Sequence, residues 1–345
     1  RLPPFDLGRL LENGNTGVAL FFALSGFLLS IPFWEARGSG APRPSPFKFF
    51  ARRLARIVPA YYLCLTALIV ANRLWLEDDS RLDMTLHYLF AFNFREDSIF
   101  SINAPFWTIA VETQFYALLP CIFVLIRPTA QRLAIPIVLL LALLAYGMHL
   151  QLIAAGASWP SANAPVAAVR QYSLLAHLPI FLFGIAATPC YLYLRQRQRD
   201  FYRWLLPVSN ATVWGVLGLL LVVLGTPLGD ALRVPAGRYH LPIVPILICS
   251  ILVFTPFSGL PRAILDTRLF TYLGTVSYGI YLYHLPIQHV VARYMNAWCG
   301  LDPASHWIIF ASISFLVTLI TASISYWGVE RRFLLWCAES RTQQR

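Results

Sequence analysis

Long apolar runs separated by short polar segments are the dominant pattern of this chain. A helix that crosses a bilayer needs about 20 mostly apolar residues, and the runs that approach this length lie near residues 16–33, 54–72, 105–126, 133–150, 173–194, 208–226, 241–257, 270–292 and 306–328. No long polar region separates them. The pattern therefore predicts an all-α, polytopic transmembrane helix bundle of about nine spans, and a single integral-membrane domain over 1–345.

Small residues inside the first run predict how that helix packs. Gly26 and Ser30 lie four residues apart, so they share one face of a helix. Small residues at this spacing allow two membrane helices to approach closely. We therefore expect a helix–helix contact on this face.

The composition excludes most soluble classes of protein. Hydrophobic residues make up 58% of the chain and charged residues 12%, whereas an ordinary soluble domain has about 25% charged residues. A soluble enzyme, a secreted disulfide scaffold, a coiled coil and a disordered chain are all excluded. The six cysteines form no CxxC pair and have no metal-ligand spacing, so we expect neither disulfides nor a metal site.

The basic residues behave as a membrane-topology signal. The net charge is +11, and assigning alternate connecting segments to the cytoplasm puts 18 of the 27 Lys and Arg residues inside, as the positive-inside rule requires. This interpretation favours contact with anionic lipid over binding of nucleic acid. It predicts a cytoplasmic C-terminus and an outside N-terminus, and one further span upstream of Arg1 would bring both ends inside.

Glu112 is the sharpest candidate for chemistry. It lies near the middle of the run 105–126, where an ionisable side chain is costly and is a default site candidate. At helical spacing it shares a face with Thr108, Phe115 and Tyr116. Two interpretations stay open: a catalytic carboxylate in a polar and aromatic pocket, or a glutamate hydrogen-bonded to neighbouring helices.

Three arginines cluster at the start of the run 54–72. Arg52 and Arg53 lie four and three residues before Arg56, so the guanidinium groups share one region of a helix surface. Guanidinium groups suit bidentate binding of phosphate. Positive-inside anchoring of the helix explains the same residues, and spacing alone does not choose between the two.

His284 is a third candidate, in the run 270–292. It shares a helical face with Ser277 and Gln288. A histidine in this position is either a packing residue or a group near an active site. The usual fingerprints of zinc peptidases, serine hydrolases, kinases and dinucleotide-binding dehydrogenases do not occur.

Four sequence blocks resemble those of the membrane-bound acyltransferase family 3, whose members transfer acyl groups to hydroxyls of cell-surface polysaccharides, lipid-linked glycans and some antibiotics. They occur in the order and spacing of the family across most of the chain. The blocks are GVALFFALSGFLLS at 17–30, FFARRLARIVPAYYL at 49–63, FWTIAVETQFYALLP at 106–120 and LGTVSYGIYLYHLPI at 273–287.

The resemblance implies a ten-helix bundle with both ends in the cytoplasm, one helix more than the apolar runs give. The first helix of the family carries an arginine and the histidine regarded as the key catalytic residue, and this helix is expected just upstream of Arg1. The chain departs from the family pattern at Ala19, Thr113 and Tyr283, where Asp, Glu and Trp are common.

The resemblance also implies the reaction. We expect an enzyme of the plasma (cell inner) membrane that moves an acyl group, acetyl above all, from cytoplasmic acyl-CoA to a hydroxyl of a glycan or glycoside. Arg52, Arg53 and Arg56 would bind the phosphates of CoA, and Glu112 would act in catalysis by orienting or charge-balancing the base. Trp107, Tyr116 and His284 would line the pocket or the acceptor side, although aromatic packing explains Trp107 and Tyr116 equally well.

Two other functions stay open at this stage. A proton-coupled secondary transporter would also have many spans with buried Glu, His and Arg. A noncatalytic membrane partner in a glycan pathway is the other alternative, and it fits a chain without the catalytic histidine.

Overall fold

The computed structural model describes residues 5–40, 42, 44–76, 80–126, 131–157, 169–231 and 243–339, with backbone alone at a few of these positions. Helices dominate these ranges and no strand occurs in them. The predicted all-α class is confirmed for the described residues.

The α-helices are numbered in chain order, and the segments between them are turns, short 3₁₀ helices and two π-helical stretches. The α-helices are α1 Leu7–Glu12, α2 Thr16–Ser39, α3 Pro46–Ala71, α4 Ser80–Tyr88, α5 Phe106–Leu125, α6 Gln131–Ala157, α7 Leu174–Gln196, α8 Gln198–Gly225, α9 Pro227–Ala231, α10 Ile243–Phe254, α11 Leu260–Leu265, α12 Arg268–Tyr294, α13 Trp307–Ser325 and α14 Arg331–Glu339. The π-helical stretches are Met295–Cys299 and Tyr326–Glu330.

Seven helical segments within the described ranges are long and apolar enough to cross a membrane. They are Thr16–Ser39, Pro46–Ala71, Phe106–Leu125, Leu133–Gln151, Val169–Gln196, Arg203–Gly225 and Trp307–Leu335. The predicted span 241–257 corresponds to a shorter apolar segment, Ile243–Phe257. The predicted span 270–292 corresponds to α12, which is long enough but too polar to join the seven. The prediction of nine spans is therefore not confirmed.

The described residues group into two compact units, one within 1–45 and 117–267 and the other within 46–116 and 268–345. Every candidate site residue from the sequence lies in the second unit. The prediction of one domain over 1–345 stays a prediction.

In the first unit α2 and α7 cross with their backbones in close contact. A Cβ atom on Gly26 would collide with the carbonyl of Phe181, and one on Gly184 would collide with the carbonyl of Ala23. Next to this crossing the hydroxyls of Ser30 and Thr188 lie 2.8 Å apart. The close contact predicted from Gly26 and Ser30 is confirmed.

In the second unit the segment between α3 and α5 is fixed by a buried aromatic cluster. The Tyr61 hydroxyl donates to the backbone carbonyl of His87, and the Tyr61 ring stacks on Phe90 and meets Phe106 edge to face. The His87 ring is fully buried and stacks on Phe92 at a centroid distance of 4.1 Å. These contacts hold the start of α5, and with it the first turns of the candidate site helix, against α3.

Asp83 lies at the edge of this cluster and interacts with the buried His87. A carboxyl oxygen of Asp83 lies 3.3 Å from Nδ1 of His87. Burial by itself would raise the pKa of Asp83, but hydrogen bonding to His87, Ser101 and Ser98 outweighs it and leaves the pKa below its ordinary value. Asp83 therefore favours its charged form in this segment.

Candidate functional site

Glu112 is buried in α5 and is hydrogen-bonded within its own helix. Its exposed fraction is 5%, and the Tyr116 hydroxyl donates to its Oε1 atom at 2.5 Å. Thr108, Phe115 and Tyr116 are also buried, so the predicted polar and aromatic face of this helix is present. A buried carboxylate is costly unless it is hydrogen-bonded or paired, and Tyr116 supplies the hydrogen bond.

The arginine cluster lies on α3 next to this carboxylate. Arg53 is half-buried, with its guanidinium 5.7 Å from the centroid of the Phe49 ring, whereas Arg52 and Arg56 are exposed. Glu112 acts electrostatically on Arg53, and both Arg53 and Arg56 act on Tyr116. Two of the three predicted phosphate ligands, Arg53 and Arg56, are thus within electrostatic reach of the Glu112–Tyr116 pair, whereas Arg52 acts on Arg53.

Tyrosines of α12 join the two helices that carry these charges. The Tyr278 hydroxyl donates to the backbone carbonyl of Ile57 at 3.0 Å, one residue after Arg56. The Tyr281 hydroxyl donates to the carbonyl of Pro105 at 3.0 Å and accepts from the Thr108 hydroxyl at 2.7 Å. The polar character that makes α12 a weak transmembrane helix therefore has a structural cause, because these hydroxyls bind α3 and α5.

His284 lies one turn further along α12 and is half-buried. Its Nδ1 atom is 2.6 Å from the backbone carbonyl of Tyr281, so one ring nitrogen is engaged by its own helix. Its ring centroid is 5.6 Å from that of Tyr281, the residue that contacts Thr108. The predicted placement of His284 on the acceptor side stays a prediction.

Trp107 is buried in the first turn of α5. This position fits the aromatic-core interpretation, and a contact with substrate stays untested. Among the described residues no group of three or more His, Cys, Asp or Glu side chains could hold a metal ion. The expectation of a reaction without a metal also stays a prediction.

Glu330 is a buried carboxylate that the sequence reasoning missed. The predicted last span ended at residue 328, which placed Glu330 in a basic tail. The structure instead buries Glu330 at the end of the π-helical stretch Tyr326–Glu330, with 5% of its surface exposed. The glutamate before two arginines was visible in the sequence, but helical periodicity gave no sign that it turns inward.

The family model described as "Acyltransferase domain" matches residues 3–327 of this chain. The chain belongs to this acyltransferase family. The enzyme is also similar to named proteins: it is 25% identical to the candidate membrane-bound transacylase BcsY of Komagataeibacter xylinus over 93% of this chain and 76% of that protein. It is 24% identical to the peptidoglycan O-acetyltransferase OatA of Listeria monocytogenes over 88% of this chain.

The acyltransferase spans half the length of OatA. It is also 25% identical to nodulation protein 10 of Rhizobium leguminosarum over 91% of this chain and 81% of that protein. No solved structure matches it.

Family membership favours the enzyme over the two alternatives left open by the sequence, the carrier and the noncatalytic partner. The acyltransferase is a multi-pass membrane protein with several apolar helices long enough to cross a bilayer. Four of its candidate site residues interact electrostatically with one another: Arg53, Arg56, Glu112 and Tyr116. Their chemical roles stay predictions.

Proposed function

We propose that this acyltransferase transfers an acyl group, acetyl above all, from cytoplasmic acyl-CoA to a hydroxyl of a polysaccharide, a lipid-linked glycan or a glycoside. The observation that carries the proposal is the buried, hydrogen-bonded carboxylate of Glu112 within electrostatic reach of the half-buried Arg53 guanidinium of α3. An anion-binding surface beside a buried carboxylate suits a charged donor with a reactive end.

The arginine cluster fits the phosphates of CoA. Guanidinium groups form paired, charge-assisted hydrogen bonds with phosphate oxygens. Arg52 and Arg56 are exposed enough to meet a ligand from solvent, whereas Arg53 reaches inward toward Tyr116. A coenzyme held by its phosphates at this surface would direct its thioester toward the carboxylate.

The reaction is an acyl exchange between sulfur and oxygen. The acceptor oxygen attacks the thioester carbonyl, a C–O bond forms, the C–S bond breaks, and the CoA thiolate leaves and takes up a proton. A base removes the proton of the acceptor hydroxyl, and family resemblance assigns this step to a histidine expected upstream of Arg1. Glu112, fixed by Tyr116, would orient that base and stabilise its charged form.

The names of the relatives support a glycan acceptor. OatA is named a peptidoglycan O-acetyltransferase, which is a transfer to a hydroxyl of a cell-surface polymer. With the C-terminus and the arginine cluster on the cytoplasmic side of the plasma membrane, the donor would enter from the cytoplasm. The acceptor would be reached from the bilayer or the outer face.

Replacing the inner arginines tests the donor site. Arg53→Ala or Arg56→Ala should weaken acetyl-CoA binding about 10- to 100-fold, because a charge-assisted hydrogen bond contributes about 1.5–3 kcal/mol. Calorimetry on the purified, detergent-solubilised protein measures the dissociation constant. The exposed Arg199, in another basic segment, supplies the matched control, and Arg199→Ala should bind normally. Unchanged affinity in folded Arg53→Ala and Arg56→Ala proteins would refute the phosphate assignment.

A further inference from the structure

Glu330 is a buried carboxylate that the proposed reaction does not use. Its neighbours Gly328 and Arg331 are exposed, so its burial is not shared by the surrounding chain. Desolvating a carboxylate is costly unless charge or hydrogen bonds compensate. A specific set of partners must therefore offset the burial of Glu330.

The π-helical stretch is what turns Glu330 inward. The buried polar and small positions of α13 are Ser314, Thr318, Ala322 and Ser325, which follow ordinary helical spacing. In a continued α-helix a residue five positions after Ser325 would point about 140° away from that face. The wider turn of Tyr326–Glu330, with its i→i+5 bonding, brings Glu330 back to it.

A hydrogen bond from Ser325 holds the carboxylate, and Ser325 is in turn bonded to α12. The Ser325 hydroxyl donates to Oε1 of Glu330 at 3.2 Å, the spacing of five residues that the π-turn produces. The same Ser325 oxygen lies 3.0 Å from the Tyr283 hydroxyl of α12. Glu330 is thus tied through Ser325 to the helix that also contacts α3 and α5.

The π-turn that carries Glu330 lies against α3, the helix of Arg56. The π-helical stretch packs against α3, and Arg56 acts electrostatically on Glu330. Arg56 also acts electrostatically on Tyr116, so it is within electrostatic reach of both Glu330 and Tyr116. Tyr278, which binds the backbone next to Arg56, interacts electrostatically with both carboxylates.

We propose that Glu330 is a positioning residue that orients Arg56 for binding the phosphates of acyl-CoA. The inference rests on the proposed donor site. An arginine on an exposed helix surface samples many rotamers, and fixing such a side chain before the ligand arrives lowers the entropy cost of binding. The π-turn packs on α3 and holds a carboxylate within electrostatic reach of Arg56, which supplies that fixation.

Removing the charge while keeping the size of the side chain tests this role. Glu330→Gln should raise the KM for acetyl-CoA about 3- to 10-fold with little change in kcat, because binding rather than chemistry loses a preorganised contact. Glu330→Asp should recover part of the affinity. In an Arg56→Ala background Glu330→Gln should add almost nothing, since a double-mutant cycle isolates interactions that share one partner.

Control variants separate this inference from the proposed function. Asp302→Asn removes an exposed carboxylate of the same unit and should leave the KM unchanged. If Glu330→Gln does not fold, Ser325→Ala loosens the same carboxylate and should raise the KM in the same direction. Normal binding by Arg56→Ala would refute the donor site itself. Suppose instead that Arg56→Ala weakens the binding of acetyl-CoA. The positioning role alone would then be overturned if Glu330→Gln left the KM unchanged or lowered it, or if it raised the KM equally with and without Arg56→Ala.

Discussion

The Tyr116–Glu112 hydrogen bond joins residues one helical turn apart, and the spacing alone predicted their shared face. The bond gives the carboxylate a fixed direction inside a buried environment. The sequence could also predict the clustering of the α3 arginines, because it depends on the same short-range periodicity. It could not predict that Arg53 comes within electrostatic reach of Glu112, since that proximity depends on how α3 packs against α5.

Loss of the Glu112 charge should stop the reaction rather than binding. Glu112→Gln keeps the size of the side chain, and we expect product formation to fall at least about 100-fold at normal expression. Tyr116→Phe removes only the hydrogen bond and should lower kcat about 10-fold. Turnover is measured as release of free CoA thiol in the presence of acceptor.

The exposed Glu12 provides a control for this experiment. Glu12→Gln should be fully active. Retained turnover in the Glu112→Gln protein would remove this carboxylate from the chemistry and leave it as a structural glutamate.

The sequence predicted the helices better than any other feature of the fold, but it did not predict one local irregularity, the π-helical stretch Tyr326–Glu330. Most long apolar runs became helices with boundaries within several residues of the prediction. This π-helical stretch could not be predicted, because a prediction from apolar periodicity uses the α-helical value of 3.6 residues per turn. One extra residue in one turn moved Glu330 from a predicted tail into the protein interior.

Because α2 and α7 cross in backbone contact, adding one methyl group at Gly184 should destabilise the protein. Gly184→Ala should lower the thermal stability of the purified protein by several degrees, because its Cβ would collide with backbone atoms of Ala23 and Phe27. A thermal unfolding scan in detergent measures the midpoint.

Gly215 is the matched control because it is also helical and a Cβ there meets no atom within 4 Å. Gly215→Ala should be neutral or slightly stabilising, since alanine favours helix by about 1 kcal/mol over glycine. Equal midpoints for the two variants would mean that α2 and α7 are not packed by backbone contact.

At the scale of the whole molecule, the composition identified a membrane protein but did not determine the number of its membrane-spanning helices. The apolar content required a membrane protein, and the four motif blocks pointed to its family. The number of spans was harder to predict, because α12 uses tyrosine hydroxyl contacts in place of an apolar surface. Hydropathy treats those polar residues as evidence against a span, although here they hold helices together.

The predicted orientation can be tested with single cysteines in a cysteine-free background. Native Cys299 is exposed after α12 and belongs to a segment predicted outside, whereas a Gln198→Cys substitution lies in a basic segment predicted inside. A membrane-impermeant maleimide added to intact spheroplasts should label Cys299 and not the cysteine at 198. The reverse pattern would invert the topology and place the arginine cluster outside the cytoplasm.

The second unit is assembled from two stretches, 46–116 and 268–345, with the intervening chain belonging to the first unit. During synthesis, α3 and the first half of α5 are therefore made first. About 150 residues of the first unit follow before the rest of the second unit is made. Throughout this interval Glu112 lacks Tyr278 and Tyr281 of α12, and Arg56 lacks the π-turn that carries Glu330. Until the last helices arrive, the Glu112 carboxylate therefore has the Tyr116 hydroxyl of its own helix as a hydrogen-bond donor but lacks the nearby tyrosines of α12.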